Sequence, residues 1–265
     1  MITEISGLMV EKKLPDKRCK KRKKPILFVH GMWGGSWMFN TYLDFFSNLG
    51  YESYALNLRG HNGSTPVYNI GGVSIYDYLS DTRIVFEKLN KPILVGHSMG
   101  GLIVQKLAEM FDPPAIVAIS PNAPRGIRTI GNLHHLYLLL RHGLNAILYQ
   151  PMLPAELIMN LMLFSGLPSN EQAKCYQKLV PESAYHAFEV AITGVPVDEK
   201  KINCPILIVA AAKDQAATLN VVHKIVRKYK ADFLEYKEFA HMIMFEKGWE
   251  TVAQDIFQWL DKNNL

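Results

Sequence analysis

Several features that mark large classes of proteins are missing from this chain of 265 residues. It has three cysteines, Cys19, Cys175 and Cys204, which lie far apart and form no C-x-x-C pair. This usage predicts reduced thiols in a cytoplasmic protein and argues against a disulfide framework or a zinc site. No charge-free apolar stretch reaches the roughly 18–20 residues of a membrane-spanning helix. The first ten residues lack the basic-then-apolar pattern of a signal peptide.

Acidic residues are scarce in one short block, where positive charge is concentrated. Residues 12–24, KKLPDKRCKKRKK, hold nine basic residues and one acid, whereas the rest of the chain has a net charge of −3. A short basic arm without interleaved aromatic residues is weak support for nucleic-acid binding, so no nucleic-acid partner is predicted. We interpret the block as a solvated linker or a strand-edge loop. A peripheral contact with an anionic membrane through residues 12–24 is the alternative.

What the chain does contain is a regular alternation of apolar runs and segments with helical periodicity. Strands are predicted at residues 25–30, 51–58, 92–97, 115–120, 205–211 and 232–239. Helices are predicted at about 36–49, 74–89, 99–111, 217–230 and 246–262. Most of the strands are continuously apolar, as parallel strands covered on both faces are. The pattern predicts an α/β fold with a mostly parallel central sheet flanked by helices, to which residues 2–10 add an antiparallel edge strand.

Residues 124–200 interrupt this alternation because they contain no convincing strand. Leucine and methionine dominate the stretch 133–167, and prolines divide it into short helical pieces. We predict a helical cap at 124–200, inserted after the sixth strand and lying over the carboxyl edge of the sheet. Residues 1–123 and 201–265 then form the two parts of the core. Helices packed within the main body are the alternative.

The pattern G-x-S-x-G occurs once, at Gly96-His97-Ser98-Met99-Gly100, between a predicted strand and a predicted helix. Small residues let the backbone make a sharp, strained turn that lifts the Ser98 hydroxyl clear of the sheet. The amino end of the following helix offers a partial positive charge and free backbone N–H groups nearby. A turn that needed only flexibility would not require a hydroxyl. Ser98 is therefore predicted to be a nucleophile.

A serine hydroxyl is a weak nucleophile at neutral pH, so it needs a base, and that base needs a group to orient it. His241 follows the last predicted strand and Asp214 follows the strand at 205–211, so both reach the carboxyl edge, where the sites of such sheets collect. We predict His241 as the base and Asp214 as the orienting acid. Arg59 and His61 are predicted to organise a loop. The histidines on or beside predicted helices are interpreted as ordinary partners or surface residues: His134, His135, His142, His186 and His223.

With its nucleophile, acid and base in this chain order, the sequence resembles the α/β-hydrolase superfamily over almost its whole length. The motifs that carry the resemblance are HGMWGG (30–35), LRGHNGS (58–64), GHSMGG (96–101), AAKDQ (211–215) and AHMIMFE (240–246). The chain looks most like the branch of esterases, lipases and small-molecule hydrolases that carries a helical cap. The resemblance implies an α/β-hydrolase fold and an oxyanion hole formed by the backbone N–H groups of Met32 and Met99.

Other functions that suit an alternating fold lack their residues here. A dinucleotide site needs G-x-G-x-x-G, but Trp33 and Ser36 stand at the second and third glycine positions. No G-K-[ST] pattern offers a phosphate loop, and no spacing of ligand residues supports a metal site. We therefore predict no cofactor and no metal. Dehalogenase and epoxide-hydrolase relatives use aspartate as the nucleophile, which the serine at position 98 argues against.

Together these residues predict a serine hydrolase that cleaves carboxylic esters with an apolar acyl or alcohol part through an acyl-enzyme. The expected partner is a small-molecule ester. Hydrolysis of a thioester, a lactone or a carbon–carbon bond, or perhydrolysis, would use the same triad and stays open. So does a receptor-like protein that keeps the triad, binds a ligand and barely turns over.

The walls of the substrate pocket are predicted from side chains near the motifs and in the leucine-rich stretch. Trp33, Trp37 and Met242 flank the motifs, and Leu139 and Met159 belong to the stretch 133–167. Methionine adapts its shape to varied apolar ligands. A pocket suited to an apolar acyl group is therefore expected between the cap and the turn at Ser98.

Overall fold

The computed structural model describes residues 1–129 and 132–265, and its central feature is a sheet of eight strands. The strands of the described residues, those of this sheet and of a separate pair, are β1 (Ile2–Ile5), β2 (Leu8–Lys13), β3 (Ile26–Val29), β4 (Ser53–Leu56), β5 (Ile93–His97), β6 (Ile116–Ile119), β7 (Pro151–Met152), β8 (Glu182–Ser183), β9 (Ile206–Ala211) and β10 (Asp232–Tyr236). The sheet has the order β1-β2-β4-β3-β5-β6-β9-β10, and β7 pairs with β8 separately. All neighbours from β4 to β10 in that order are parallel. The predicted mostly parallel sheet is confirmed.

The sheet begins with a hairpin where the sequence predicts one edge strand over residues 2–10. Ser6 and Gly7 form the turn between β1 and β2, and both have a positive φ, 53° and 82°. Two consecutive positive φ angles are typical of the tight turns whose twist suits a hairpin. β2 then pairs antiparallel with β4, so the hairpin closes one edge of the parallel sheet.

Helices cover both faces of the sheet. The α-helices of the described residues are α1 (Asn40–Asn48), α2 (Ile75–Lys88), α3 (Met99–Phe111), α4 (Leu133–Ile147), α5 (Glu156–Met162), α6 (Ser169–Tyr176), α7 (Ala184–Phe188), α8 (Leu219–Tyr229) and α9 (Trp249–Lys262). α2 begins with a reciprocal capping box between Ser74 and Asp77, which satisfies backbone N–H groups at the start of the helix. Within the two described ranges, no helix is both long enough and apolar enough to cross a bilayer.

The core has two layers, one on each face of the sheet. Ile26 and Phe28 of β3 pack into one layer and Leu27 and Val29 into the other, and all four are fully buried. Helices α1 and α9 cover the first layer, whereas α2, α3 and α8 cover the second. Burial on both faces explains why the strands read as continuously apolar runs instead of alternating ones.

The segment between β6 and β9 contains α4 to α7, and we call its predicted extent, residues 124–200, the cap segment. It also contains the pair β7–β8, which corrects the expectation of a segment without strands. Two-residue strands are too short to show a period in the sequence. The Trp33 indole N–H donates to the Met152 carbonyl at 3.1 Å, and the Val180 N–H donates to the Trp33 carbonyl at 3.0 Å. These bonds fasten the cap segment to the loop after β3. Residues 130–131 lie outside the described residues.

The basic block at 12–24 forms the end of β2 and the loop that leads into β3. Three of its cations pair with acids of the main body: Lys13 with Asp44 at 2.6 Å, Lys21 with Glu52 at 2.5 Å and Arg22 with Asp261 at 2.7 Å. The Arg22 guanidinium also lies over the rings of Tyr51 and Phe257. The block is thus a strand-edge loop, one of its two predicted forms. It lies at the amino edge of the sheet, away from Ser98.

The contact between α3 and β3 generates a stability prediction. A Cβ atom on Gly100 would clash with the Val29 carbonyl oxygen and lie 2.7 Å from the His30 carbonyl oxygen. Gly100→Ala should therefore lower the free energy of unfolding by about 2 kcal/mol or more, because neither backbone can move freely. The measurement is urea denaturation followed by tryptophan fluorescence.

Gly143→Ala is the matched control for this prediction. Gly143 lies within α4, and a Cβ atom there meets nothing within 4 Å. Alanine is favoured over glycine inside a helix by up to about 1 kcal/mol, so this variant should be as stable as the native chain or more stable. If the two variants lose the same stability, the close approach of α3 to β3 is not the cause.

Candidate active site

Ser98 lies at the abrupt turn between β5, which ends at His97, and α3, which begins at Met99. Its backbone has φ 53° and ψ −115°, a conformation that residues with a side chain rarely adopt. The Ser98 N–H donates to the Ile119 carbonyl at 3.0 Å, and the Asn122 N–H donates to the Ser98 carbonyl at 2.9 Å. Strain that neighbouring bonds maintain is typical of functional sites, and here it fixes where a hydroxyl is presented.

Asp214 and His241 follow the adjacent strands β9 and β10 and form a buried pair. Asp214 Oδ2 lies 2.8 Å from His241 Nδ1. The other carboxylate oxygen accepts the backbone N–H groups of Ala216 and Ala217 at 2.8 and 2.9 Å. Because a carboxylate only accepts, Nδ1 carries the proton and Nε2 is the basic nitrogen of the ring. The pair has the arrangement that a histidine base and its orienting acid require.

His97, the residue before Ser98, joins the turn to His241. Its Nε2 lies 3.0 Å from the His241 carbonyl oxygen, and the two ring centroids are 4.5 Å apart. Burial lowers the pKa of His97 well below its ordinary value, so the ring is neutral and donates from Nε2. Among the contacts of the described residues, none joins the Ser98 hydroxyl to the His241 ring. Such bonds are often long before a substrate binds.

The loop after β3 passes directly beside Ser98. A Cβ atom on Gly31 would lie only 3.0 Å from the Ser98 Cβ and 3.1 Å from His97 Nδ1, so a side chain there would press on both neighbours. Met32 follows in the loop and borders the same cavity as Ser98. Met99 is the first residue of α3, where backbone N–H groups have no partner within the helix. The two backbone donors predicted for an oxyanion hole are therefore near Ser98. Met99 is the next residue in the chain, and Met32 lies in the neighbouring loop.

An apolar cavity of about 150 Å³ lies beside Ser98. Met32 and Trp33 form part of its wall, and the cap segment contributes most of the rest, including Leu138, Leu139, Ala146, Met162, Phe188 and Val190. The polar side chains that border it, besides Ser98, are Asn122, Thr129, His135 and His142. An apolar cavity of this size holds a group about as large as benzene. The site can therefore place a short apolar group against the hydroxyl.

The sequence pattern that defines the alpha/beta hydrolase family matches residues 26–255. The chain belongs to this family. The matched region begins with β3 and includes the turn at Ser98, Asp214 and His241. Membership, together with the fold, supports a hydrolase.

The chain is similar to several named proteins. The ABHD8 protein of Mus musculus is 23% identical over 237 residues, which are 83% of this chain and 52% of that protein. In Bos taurus the match to ABHD8 is 32% over 92 residues, 34% of this chain and 21% of that protein, so the chain spans about a fifth to a half of these relatives. Epoxide hydrolase 1 of Caenorhabditis elegans is 35% identical over 108 residues, 38% of this chain and 26% of that protein.

Among solved structures, a monoglyceride lipase from Saccharomyces cerevisiae has the same fold as this chain. The two superpose with a TM-score of 0.78 at 18% sequence identity, covering 99% of this chain and 94% of the other. At this identity the likeness establishes the fold alone.

The predicted pocket residues of the chain fall into two groups. Trp33 and Leu139 border the cavity. Trp37, Met159 and Met242 do not border it: Met159 and Met242 are buried in the core, and the Trp37 ring packs on Phe245. Proximity to a motif in the sequence does not say which way a side chain points.

Sequence reasoning also missed cavity residues. His135 and His142 border the cavity, although the sequence offers no sign that separates them from the other helix histidines. His135 Nε2 lies 3.0 Å from the Ala216 carbonyl oxygen, next to the N–H that binds Asp214. Both histidines lie on α4, so one helix brings polar groups from the cap segment toward Ser98 and Asp214.

A buried ionic network lies behind the loop after β3, which carries Met32 and Trp33. Glu182 of β8 is fully buried, accepts the Tyr78 hydroxyl, and accepts the Trp33 N–H at 3.4 Å. His61 faces an acceptor at each ring nitrogen, since Nδ1 lies 2.9 Å from the Arg59 carbonyl oxygen and Nε2 lies 3.2 Å from Glu182 Oε2. The contact with Glu182 is an ion-pair contact, and the carboxylate beside the ring favours the imidazolium form of His61.

The pKa directions agree with this assignment. Burial disfavours the charged ring of His61, but the Glu182 carboxylate outweighs burial and raises the pKa of His61. Burial also acts to raise the pKa of Glu182, yet the charge and hydrogen bond of His61 hold it at about 2. The pair links the loop after β4 to the cap segment and, through the Trp33 N–H, to the loop that carries Met32. His61 is predicted to organise a loop, and the structure shows that its partner is Glu182, which the sequence did not reveal.

Glu182→Gln tests the ion pair. Near pH 5 we expect the free energy of unfolding to fall by about 3 kcal/mol, because a buried cation loses its partner. The native carboxylate contributes stability above its unfolded pKa of 4.5, and this is lost as the pH falls toward 2. His61 contributes stability below its unfolded pKa of 6.5, and this is lost as the pH rises through its raised folded pKa. The difference between native chain and variant should therefore peak near pH 5 and shrink on both sides.

Glu87→Gln provides the control, because Glu87 forms an exposed pair with Arg83 at 2.8 Å on α2. An exposed pair one helical turn apart contributes about 0.5 kcal/mol or less, so this variant should stay close to the native chain at every pH. The measurement is urea unfolding of all three proteins across the pH range. A loss for Glu182→Gln that does not vary with pH would contradict the ionic assignment.

Proposed function

We propose that this hydrolase cleaves carboxylic esters with an apolar acyl or alcohol part, with Ser98 as nucleophile, His241 as base and Asp214 as orienting acid. The observation that carries the proposal is the strained turn at Ser98, on the wall of an apolar cavity. A serine that served only packing would not need to be held at φ 53° beside a cavity. The Asp214–His241 pair supports the proposal, because a serine nucleophile needs a base with a fixed tautomer.

In the proposed reaction, Ser98 Oγ attacks the ester carbonyl carbon while His241 Nε2 takes the hydroxyl proton. The N–H groups of Met32 and Met99 donate to the carbonyl oxygen as it becomes an oxyanion. His241 then gives its proton to the leaving alcohol, and the acyl group stays on Ser98. Water, deprotonated by His241, releases the carboxylic acid and restores the hydroxyl. Asp214 keeps Nδ1 protonated throughout and stabilises the imidazolium.

The cavity favours an ester whose apolar part is short to medium in length, or aromatic. Its volume of about 150 Å³ suits a benzene-sized group, and long triacylglycerols should be poor substrates unless the cap segment moves. Epoxide hydrolysis uses an aspartate nucleophile, so the serine at position 98 argues against that reaction. Thioesters, lactones and carbon–carbon substrates share the triad, so a panel of these beside p-nitrophenyl esters ranks them by kcat/KM. A receptor-like protein would turn over almost none of them.

The cellular setting belongs to the same proposal. Cys19, Cys175 and Cys204 are unpaired, and burial raises the pKa of the Cys175 and Cys204 thiols, which keeps both protonated and unreactive at neutral pH. Such cysteines suit a reducing compartment, so a cytoplasmic location stays our prediction.

Removing the nucleophile tests the mechanism. Ser98→Ala and His241→Ala should each lower kcat on a p-nitrophenyl ester by about 10⁴-fold or more, and the double variant should be scarcely slower, because triad members act as a unit. Asp214→Asn should keep the fold and lose much of the rate, because the ring then adopts the wrong tautomer. A fluorophosphonate should label the native chain at Ser98, as read by peptide mass spectrometry.

Ser120→Ala is the matched control for Ser98→Ala. Ser120 is also a buried serine with a positive φ, 43°, and it follows β6, the strand next to β5. This variant should keep near-native rates and near-native labelling. Full activity in Ser98→Ala, or a label on another residue, would refute the assignment.

The chain-length profile tests the cavity. Along a series of p-nitrophenyl esters, kcat/KM should rise about fourfold per methylene until the cavity is full, since each buried methylene contributes about 0.8 kcal/mol. Leu139→Ala enlarges the cavity and should move the optimum to longer chains.

The neighbouring residue supplies the control. Leu140 is 77% exposed and does not border the cavity, so Leu140→Ala should leave the optimum unchanged. A flat profile in the native chain, or the same shift in both variants, would show that α4 does not shape the acyl pocket.

A further inference from the structure

The outer face of α4 carries a row of exposed leucine and isoleucine side chains. We call this row the α4 stripe: Leu133, Leu136, Leu140, Leu144, Ile147 and Leu148. From Leu133 to Leu144 the members are three or four residues apart, and Ile147 and Leu148 follow Leu144 by three and four residues, so they share one face of the helix. Leu148 is the residue just after α4. The side chains of Leu133, Leu140 and Ile147 are 81%, 77% and 71% exposed. A continuous apolar patch of this kind marks an interaction surface, because isolated exposed leucines are common but rows of them are not.

The opposite face of the same helix forms part of the active-site cavity. Leu138, Leu139 and His142 border the cavity, and Ala146 is buried against it. α4 is therefore apolar on both faces, which is the pattern of a helix covered on all sides. In the structure only the cavity face is covered. The α4 stripe thus lies one helix diameter from the site where an apolar substrate is proposed to bind.

The charge around α4 indicates what covers the stripe. Residues 113–155 contain three arginines, Arg125, Arg128 and Arg141, and no aspartate, glutamate or lysine. Arg141 lies on α4 itself and is exposed, and Arg128 is also exposed. An apolar helix face accompanied by arginine and free of acids suits the boundary between acyl chains and anionic headgroups. The long arginine stem allows the guanidinium to reach the headgroups while leucines enter the acyl region.

We propose that the α4 stripe docks on a lipid surface that contains anionic headgroups. In combination with the proposed ester hydrolysis, docking brings the cavity behind α4 to the level at which a lipophilic ester leaves the bilayer. A second copy of this chain fits the stripe less well. A two-fold dimer would place the α4 of each copy, which carries Arg141 and no acid, against that of the other. The basic block at 12–24 lies at the amino edge of the sheet, and three of its cations already pair with acids.

The test is co-sedimentation of the full chain with vesicles of phosphatidylcholine, with and without phosphatidylglycerol. The native chain should bind phosphatidylglycerol vesicles. The double variant Leu140→Ser/Leu144→Ser should bind at least about tenfold more weakly, because two leucine side chains no longer leave water. Arg141→Gln should lose about fivefold on the anionic vesicles and little on phosphatidylcholine alone. Neither leucine borders the cavity, so turnover of a water-soluble ester by the double variant should equal that of the native chain.

Two controls separate the α4 stripe from other surfaces. Ile2→Ser removes a single exposed apolar side chain, 67% exposed, from the edge strand β1, and should leave vesicle binding unchanged. Replacing the lysines and arginines of 17–24 by glutamine should also leave it unchanged. Equal thermal midpoints of the native chain, the double variant and Leu133→Ser verify that the stripe variants are folded.

Three results would overturn the proposal. One is no binding of the native chain to either vesicle. Another is loss of binding in the 17–24 variant with full binding in the stripe variant, which would assign docking to the basic block. The third is a native dimer in light scattering that the stripe variant disperses, which would make the stripe a contact between copies. Failure of the ester hydrolysis would appear separately, as an inactive native chain that still binds vesicles.

Discussion

The candidate site depends on one close approach, that of α3 to the backbone of β3. Gly100 places α3 so near the Val29 and His30 carbonyls that no side chain fits between them. Since α3 begins so close to the sheet, the chain leaving β5 must turn abruptly, and Ser98 takes up the strain at φ 53°. The same approach brings the first N–H groups of α3 beside the loop after β3. The predicted nucleophile and the predicted oxyanion donors therefore lie close together because α3 approaches the backbone of β3 so closely.

Two buried carboxylates support this arrangement from opposite sides. Asp214 fixes the tautomer of His241 and is itself held by two backbone N–H groups. Glu182 pairs with His61 and reaches the backbone of Trp33, next to the predicted oxyanion donor Met32. Each acid is compensated, as a buried charge must be. One acid therefore holds the predicted base, His241, whereas the other connects the cap segment to the loop after β3.

Much of the fold, and the positions of Ser98, Asp214 and His241 at one edge of the sheet, could be predicted because they follow from short sequence patterns. Buried parallel strands read as apolar runs, and residues just after β5, β9 and β10 must meet at one edge of the sheet. The missed features depend on contacts between distant parts of the chain. Nothing near Glu182 indicates that it meets His61, and the strands β7 and β8 exist only through each other. The wall of the cavity depends on helix rotation, so Leu139 borders it and Met159 does not.

The central claim is that the strained turn presents Ser98 as a nucleophile to an apolar cavity behind α4. A crystal structure of the chain treated with an alkyl phosphonate tests it most directly. The account predicts phosphorus bonded to Ser98 Oγ, the phosphonyl oxygen within hydrogen-bond distance of the Met32 and Met99 N–H groups, and the alkyl group beside Leu139. Phosphorus bonded to another residue, or an alkyl group that leaves the cavity empty, would contradict it.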